Sequence, residues 1–306
     1  MLSSWLYRLA AANRLSMAGL TEMNVQRRLG WLRDIDRFAP VELVENLAAT
    51  VGKEFVECGA GTFMEWDIYL DNLTEKSRSG GSARWYLKAP RPVGARVNPI
   101  PIQYCPECLR DPDPYFRKSW RMSFVTLCPS HDAQLQSTCH SCGTPFFYAA
   151  TMHAQKVPAA DVGLRHCLQC NADLSQSAPI RAPGSQLLRQ MQAGLVDGLA
   201  DGTATFPWMQ TRTVKVLGFV EHLPRLLGQT RLGDELQRLS SISVDRPVKR
   251  LGGKLFDAAD AVARAKLLQA AAWLLEDWPS RYETLRRAGG TPPRAAKRIV
   301  DGFNFP

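Results

Sequence analysis

Seven cysteines and one histidine between positions 105 and 170 form four pairs with the spacing of metal ligands. The pairs are Cys105-Pro-Glu-Cys108, Cys128-Pro-Ser-His131, Cys139-His-Ser-Cys142 and Cys167-Leu-Gln-Cys170. A tight turn across the two intervening residues places both ligands on one edge of a tetrahedron, with sulfur about 2.3 Å from a zinc ion. Eight ligands predict two zinc ions per chain. Because four protein ligands leave no position for an activated water, we expect these ions to be structural and not catalytic.

The residues after two of the ligand pairs favour a metal site, and disulfide or redox chemistry fits the cysteines less well. Gly143 and Asn171 directly follow the second ligand of their pairs, and Gly and Asn tolerate the left-handed backbone conformation that such turns need. Disulfides need an oxidising compartment, and the opening residues lack the pattern of a secretory signal. Thioredoxin-like chemistry uses a single Cys-x-x-Cys beside a βαβ unit. Cys58 stands outside the pattern, and we expect a small buried apolar residue there and not a nucleophile.

The four pairs can be combined in two ways. Sequential pairing groups the first pair with the second and the third with the fourth, whereas cross-braced pairing joins the first with the third and the second with the fourth. Seven residues, 132–138, separate the second and third pairs, which is longer than cross-braced RING-type domains usually leave. Sequential pairing also closes each site locally before the next must form, so we favour it.

The helix and strand patterns around these ligands predict a mainly α protein with a small zinc-stabilised α+β region. We expect three domains: an N-terminal helical domain at 1–100, a tandem zinc-finger domain at 101–178 and a C-terminal basic helical domain at 179–306. Residues 77–101 contain Gly80-Gly81 and four prolines, a composition typical of a turn-rich connector.

Within the first domain the pattern predicts helices at about 3–14, 21–31 and 40–50. Ser3 or Ser4 can cap the first helix, and Pro40 and Gly52 suit the start and the exit of the third. Short helices joined by tight turns permit a helix-turn-helix, and a plain helical bundle fits the pattern equally well.

In the zinc region we predict short strands at about 120–127 and 146–148, each next to a ligand pair. The aromatic residues there are expected to form the small core that the metals supplement. The alternative is that they are exposed and form a stacking platform for single-stranded nucleic acid.

In the C-terminal domain we predict helices at about 185–196 and 213–222, the latter ending before Pro224. Another helix capped by Asp257 reaches Trp278, and a last helix begins at Pro279. Trp273 and Trp278 are expected to pack between helices, although a partner pocket is the alternative.

Positive charge is concentrated in the C-terminal third of the chain. Of the formal net charge of +9, residues 1–100 contribute +2, residues 101–178 contribute zero and residues 179–306 contribute +7. Clusters of Lys and Arg can meet nucleic-acid phosphates, although basic faces also serve solubility. The candidate contacts are Arg246, Lys249, Arg250, Lys254, Arg294, Lys297 and Arg298. The neutral zinc region is expected to act as a scaffold or a protein-binding surface.

Several function classes lack their motifs. The chain has no Gly-x-x-x-x-Gly-Lys-Ser/Thr phosphate loop, no Gly-x-Ser-x-Gly nucleophile elbow, no His-Glu-x-x-His and no His-x-Glu for a zinc deaminase. We therefore expect no enzymatic activity; scattered carboxylates such as Asp67, Asp71 and Asp277 leave a hidden metal-dependent nuclease site as the remaining alternative. The longest apolar run, at 270–275, is too short to cross a bilayer, so we expect a soluble protein.

The residues between the ligands resemble the TniQ/TnsD family of transposon targeting proteins. The resemblance rests on Tyr104-Cys-Pro-Glu-Cys-Leu-Arg-Asp111, Pro114-Tyr-Phe-Arg117, Trp120-Arg121, Cys128-Pro-Ser-His131, Leu135 and Cys139-His-Ser-Cys-Gly143. Two outlying segments are also similar to the family, Ser4-Trp-Leu-Tyr-Arg-Leu-Ala10 and Leu274-Leu-Glu-Asp-Trp-Pro279.

The resemblance implies a helix-turn-helix in the N-terminal domain and a target-selection adaptor for DNA transposition. Such an adaptor links target DNA, read by its own contacts or by a CRISPR effector complex with guide RNA, to the transposon's AAA+ ATPase and through it to the transposase. A homodimer and a cytoplasmic, nucleoid-associated location in a bacterium are further expectations. The alternative function is a stand-alone zinc-containing, sequence-specific DNA-binding regulator that oligomerises through its C-terminal region.

Overall fold

A computed structural model of the chain describes residues 1–15, 19–20, 35–66, 102–146, 164–167, 169–181, 186–227, 230–243 and 261–289. These residues group into two compact units. The first contains the described residues up to 180 except 123–129. The second contains 123–129 and the described residues from 181 onward. The three predicted domains stay a prediction, and both the N-terminal helices and most of the cysteine-rich region belong to the first unit.

The described part of the chain is mainly helical. In the first unit, the α-helices are α1 (Leu2–Ala12), α2 (Ile35–Phe38), α3 (Val41–Val51) and α4 (Phe55–Gly59), followed by 3₁₀ turns at Cys108–Arg110, Lys118–Arg121 and Leu174–Gln176. In the second unit they are α5 (Gln186–Asp201), α6 (Thr213–Leu227), α7 (Thr230–Ser240), α8 (Ala261–Glu276) and α9 (Ser280–Gly289), with strands β1 (Thr203–Phe206) and β2 (Met209–Arg212). None of the described helices has the length and apolar character needed to cross a membrane.

Two serines that the sequence pattern assigns to capping instead connect helix α1 to the rest of the first unit. Ser3 and Ser4 lie inside the helix and are buried, so the predicted serine cap is wrong; the N-cap position is Met1. The carboxylate of Asp36 instead accepts hydrogen bonds from the backbone N and the hydroxyl of Ser3, at 2.8 and 2.7 Å. The hydroxyl of Ser4 accepts a hydrogen bond from the backbone N of Phe116 at 3.0 Å. Both serines therefore connect α1 to other parts of the first unit.

Helix α3 follows the predicted pattern closely. Leu43, Val44 and Leu47 are fully buried along one face, and Pro40 occupies the N-cap position. Gly52 ends the helix with a φ of 66°, a left-handed conformation that glycine adopts without strain. The predicted helix at 21–31 and the connector at 77–101 lie outside the described residues, so the helix-turn-helix stays a prediction.

The second unit is built on α5 and the β1–β2 hairpin. The strands are antiparallel, with Thr203 opposite Arg212 and Phe206 opposite Met209. β1 packs on α5 at two glycines: a Cβ at Gly194 would lie 2.5 Å from the carbonyl oxygen of Thr205, and one at Gly198 would lie 2.9 Å from the backbone N of Ala204. Glycine at both positions lets the hairpin backbone approach the helix.

Two predicted boundaries change in the structure. Helix α6 continues through Pro224 to Leu227, so its predicted end at 222 is wrong; Leu223, Leu226 and Leu227 are buried, and their packing supports the final turn despite the missing N–H. The predicted strand at 120–127 is also wrong. This stretch begins in a 3₁₀ turn and contains only turns and isolated bridge residues, and the side-chain amides of Gln103 and Gln192 bond to its backbone.

The C-terminal helices pack against other helices of the second unit. α8 packs on α5 and α6, and α7 packs on α9. Tyr282 and Leu285 of α9 are buried. Trp278 stacks on Tyr282 and meets Phe219 edge to face, with ring centroids 5.3 and 5.4 Å apart. The structure therefore supports packing between helices for this tryptophan. Asp257, the predicted cap of α8, lies outside the described residues.

Candidate metal centres

The four ligand pairs come together in two separate clusters. The first cluster is Cys105, Cys108, Cys128 and His131, and the second cluster is Cys139, Cys142, Cys167 and Cys170. Within each cluster the four ligand atoms all lie within 4.8 Å of one another. This grouping is the sequential one that the spacing favours, and it excludes the cross-braced alternative.

The distances between ligand atoms fit a tetrahedral ion. A tetrahedron with metal–sulfur bonds of about 2.3 Å has sulfur–sulfur edges of about 3.8 Å, and sulfur–nitrogen edges are slightly shorter. In the second cluster Sγ of Cys139 lies 3.7 Å from that of Cys170, and Cys142 and Cys167 are 3.8 Å apart. In the first, Nδ1 of His131 lies 3.6 Å from Sγ of Cys105 and 3.3 Å from Sγ of Cys108.

These donor sets suit zinc. Sulfur and imidazole ligands in fours are typical of structural zinc, and hard cations such as magnesium prefer oxygen ligands. All eight predicted ligands would hold the two ions, with Zn²⁺ supplying cross-links between loops that have little regular structure of their own.

The second cluster is built from two turns with the same hydrogen-bond pattern. The backbone N of Cys139 bonds to the carbonyl of Thr144, and that of Cys167 bonds to Ala172, at 2.9 and 2.8 Å. In both turns the residue after the second ligand donates to the carbonyl of the first, and it has positive φ: 68° at Gly143 and 58° at Asn171. The left-handed conformations predicted at these two positions are confirmed.

The first cluster is more buried than the second. Its three cysteines are buried and His131 is half-buried, whereas Cys142 and Cys170 of the second cluster are exposed. Nη2 of Arg117 lies 3.8 Å from Sγ of Cys108, and its guanidinium lies over the ring of Tyr115, 5.2 Å from the centroid. Three thiolates around a divalent ion carry a net negative charge, which this guanidinium partly offsets.

The thiols of the second cluster differ in their proton affinity. A hydrogen bond to Oγ1 of Thr144 lowers the pKa of Cys142 to about 6, and burial raises the pKa of Cys167 to about 12. The metal must displace the proton from Cys167, because only thiolate is a strong ligand. Burial raises the pKa of Cys58, and the nearby charge of Glu57 raises it further. This half-buried thiol therefore lacks the thiolate character of a nucleophile.

Aromatic rings form the apolar core beside the clusters. Phe116 stacks on Phe146 and meets Trp120 edge to face, and Tyr104 packs against Phe146, with centroids 5.2 to 5.8 Å apart. All four side chains are buried. They are therefore core residues, and the stacking platform for single-stranded nucleic acid finds no support among them.

A buried ion pair that sequence reasoning missed joins the N-terminal helices to this core. Arg121 and Asp36 are 3.3 Å apart, with side-chain exposures of 0% and 2%. The guanidinium of Arg121 also lies over the Phe63 ring at 4.9 Å. The only sequence signal is a charged residue next to Trp120, and the spacing of 85 residues gives no hint of its partner.

The predicted nucleic-acid contacts stay a prediction. Arg246, Lys249, Arg250, Lys254, Arg294, Lys297 and Arg298 all lie outside the described residues. Asp67 and Asp71 also lie outside them, and Asp277 is exposed.

Comparison with known proteins agrees with the resemblance in the ligand region. Residues 1–135 match the model of the family described as TniQ. The match contains α1, the Asp36–Arg121 pair and the whole first cluster, and it ends before the second cluster. No curated protein matches the chain. Residues 1–135 of this chain therefore form a TniQ domain, and the TniQ family is associated with transposition.

Proposed function

We propose that this protein is a non-enzymatic target-selection adaptor for DNA transposition. The match of residues 1–135 to TniQ carries the proposal. The adaptor connects target DNA, or a guide-RNA effector complex bound to it, to the AAA+ ATPase of the transposon, which engages the transposase.

The metal clusters support this role through their chemistry. Each has four protein ligands, so a bound Zn²⁺ keeps no open position for water and serves as a structural cross-link. An adaptor needs surfaces held in fixed geometry, and metal cross-links provide this in a region with few regular elements.

The charge distribution also supports an adaptor. The net charge is zero at 101–178 and +7 at 179–306. If the cysteine-rich region held a phosphate backbone, an excess of Lys and Arg would be expected there. We assign protein contacts to the cysteine-rich region and direct DNA contacts to the basic C-terminal third, including Arg246, Lys249, Arg250, Lys254, Arg294, Lys297 and Arg298.

The test first looks for transposase and AAA+ ATPase genes beside this one, and then measures transposition in cells that carry all three genes. We expect insertions at the proper target to need this protein, and tagged protein to copurify with the ATPase. Cys105→Ser removes a ligand of the first cluster and should abolish both results. Cys58→Ser is the matched control, because it removes the thiol outside the clusters and should preserve both.

The alternative function predicts a different outcome. A stand-alone regulator binds sites near its own gene and changes transcription there, without copurifying with the ATPase. Targeted insertion at the normal frequency after deletion of the gene would reject the adaptor proposal.

A further inference from the structure

Gln192 on α5 bonds to the backbone immediately before a ligand of the first cluster. Its Oε1 accepts hydrogen bonds from the backbone N of Thr126, from the Thr126 hydroxyl at 2.8 Å and from the backbone N of Leu127 at 3.0 Å. Its Nε2 lies 3.5 Å from the carbonyl oxygen of Leu127. One side-chain amide thus pairs with both backbone polar groups of Leu127, and the next residue is Cys128.

All of these groups are shielded from water. Gln192 is 6% exposed, Thr126 and Cys128 are 0% exposed, and Leu127 is 1% exposed. A buried amide that loses its partner pays the full desolvation penalty, because no water replaces the bond. The segment 126–128 therefore has a strong preference for the one backbone conformation that Gln192 satisfies.

The position of this segment matters because it leads directly into Cys128, a ligand of the first cluster. In the pairs of the second cluster, each turn carries its own pattern of backbone bonds around the first ligand. Cys128 follows a stretch without a regular strand, and the bonds from Gln192 hold the two residues directly before it. The sulfur of Cys128 can reach the metal only if this backbone is correctly placed.

We propose that Gln192 is a positioning residue for the first metal centre, holding Cys128 in the geometry that the ion requires. The residue lies outside the TniQ match and 61 positions after His131, the last ligand of that cluster. Metal binding and the Gln192 bonds are then linked: each stabilises the same conformation of 126–128, so the loss of one weakens the other by the same factor.

The test measures the affinity of each site in the purified full-length protein. Co²⁺ replaces Zn²⁺, and its absorption distinguishes a site with three thiolates and an imidazole from a site with four thiolates, so one titration against a chelator reports both. Gln192→Met keeps the side-chain length and removes the hydrogen bonds. We expect the dissociation constant of the first site to rise about tenfold, as for residues that orient metal ligands, with the second site unchanged.

Two variants on the same helix separate positioning from general destabilisation. Gln186→Met makes the same chemical change at an exposed position and should alter neither site. Leu195→Ala opens a cavity at a fully buried position and should lower the unfolding midpoint, leaving the ratio of the two dissociation constants unchanged. If Gln192→Met changes this ratio no more than Leu195→Ala, the positioning role is rejected.

A milder variant covers the case in which Gln192→Met does not fold. Thr126→Val removes only the hydroxyl that bonds to Oε1 of Gln192, and losing one such bond corresponds to a rise of about threefold in the dissociation constant of the first site. An unchanged first site in this variant, or equal weakening of both sites, would overturn the proposal.

Discussion

The ion pair between Asp36 and Arg121 predicts a large loss of stability for a single substitution. Arg121→Met removes the charge and keeps much of the side-chain volume. The pair is buried, with exposures of 2% and 0%, and removing one partner of such a pair typically costs about 3–5 kcal/mol because the other charge stays in the interior. Asp36 keeps two hydrogen bonds from Ser3, so we expect the lower end, about 3 kcal/mol.

A matched control is available in the same unit. Arg8 and Asp113 form an ion pair at 2.7 Å, but their side chains are 39% and 82% exposed. Exposed pairs contribute at most about 1 kcal/mol because water and salt screen them. Urea unfolding of the zinc-loaded protein should therefore show a much lower midpoint for Arg121→Met than for Arg8→Met.

A double variant tests whether the charge itself is responsible. Asp36→Asn keeps an oxygen that can accept from Ser3 and removes the charge left by Arg121→Met. We expect the two changes together to cost at least about 1 kcal/mol less than their sum, because interacting residues are not additive. Equal midpoints for Arg121→Met and Arg8→Met, or strict additivity of the double variant, would refute this account of the ion pair.

Three further predictions concern the metal centres and the packing of α5. A chelator should remove the metal of the second cluster first, since two of its ligands are exposed; Co²⁺ absorption would show the order, and earlier loss from the first cluster would contradict it. Gly198→Ala should destabilise the protein by about 1–3 kcal/mol, because the added Cβ lies 2.4 Å from Thr213 Oγ1; Gly59→Ala, where no atom lies within 4 Å, is the control in thermal unfolding. Burial raises the pKa of Asp173, but hydrogen bonds from Ser175 outweigh it and the net pKa is below 3.8. The contribution of Asp173 to stability is then present above pH 3.8 and is lost as the pH falls through its lower pKa in the folded protein. Asp173→Asn should remove this acid-side loss from the pH dependence of the free energy of unfolding.

Local signals in the sequence were reliable where the structure depends on nearby residues. The two-residue spacing predicted the ligand pairs, and the small or amide residues after them predicted the left-handed turns at Gly143 and Asn171. The apolar period and Gly52 similarly gave α3 and its end. In each case the physical cause acts within a few positions, so a single sequence contains it.

Long-range polar contacts were the part that could not be predicted. Ser3 has the residue type and position of a helix cap, yet it is buried and bonds to an aspartate 33 residues away. Gln192 is an ordinary helix residue by pattern, and its role comes from a segment 65 residues earlier. Pro224 predicts a helix end from local geometry alone, but buried leucines on either side outweigh that preference.

The end of the TniQ match is not a boundary of the folded unit. Tyr104, inside the match, exchanges two backbone hydrogen bonds of 2.8 Å with Gln136, just outside it. Gln134 donates to the carbonyl of Ile180, and Nε of Arg110 donates to that of Ser175. A chain ending at 135 would leave these buried and half-buried groups without partners around the first cluster. The second cluster is therefore part of the structure that supports the TniQ domain, because its two turns lie in the segment that supplies those partners.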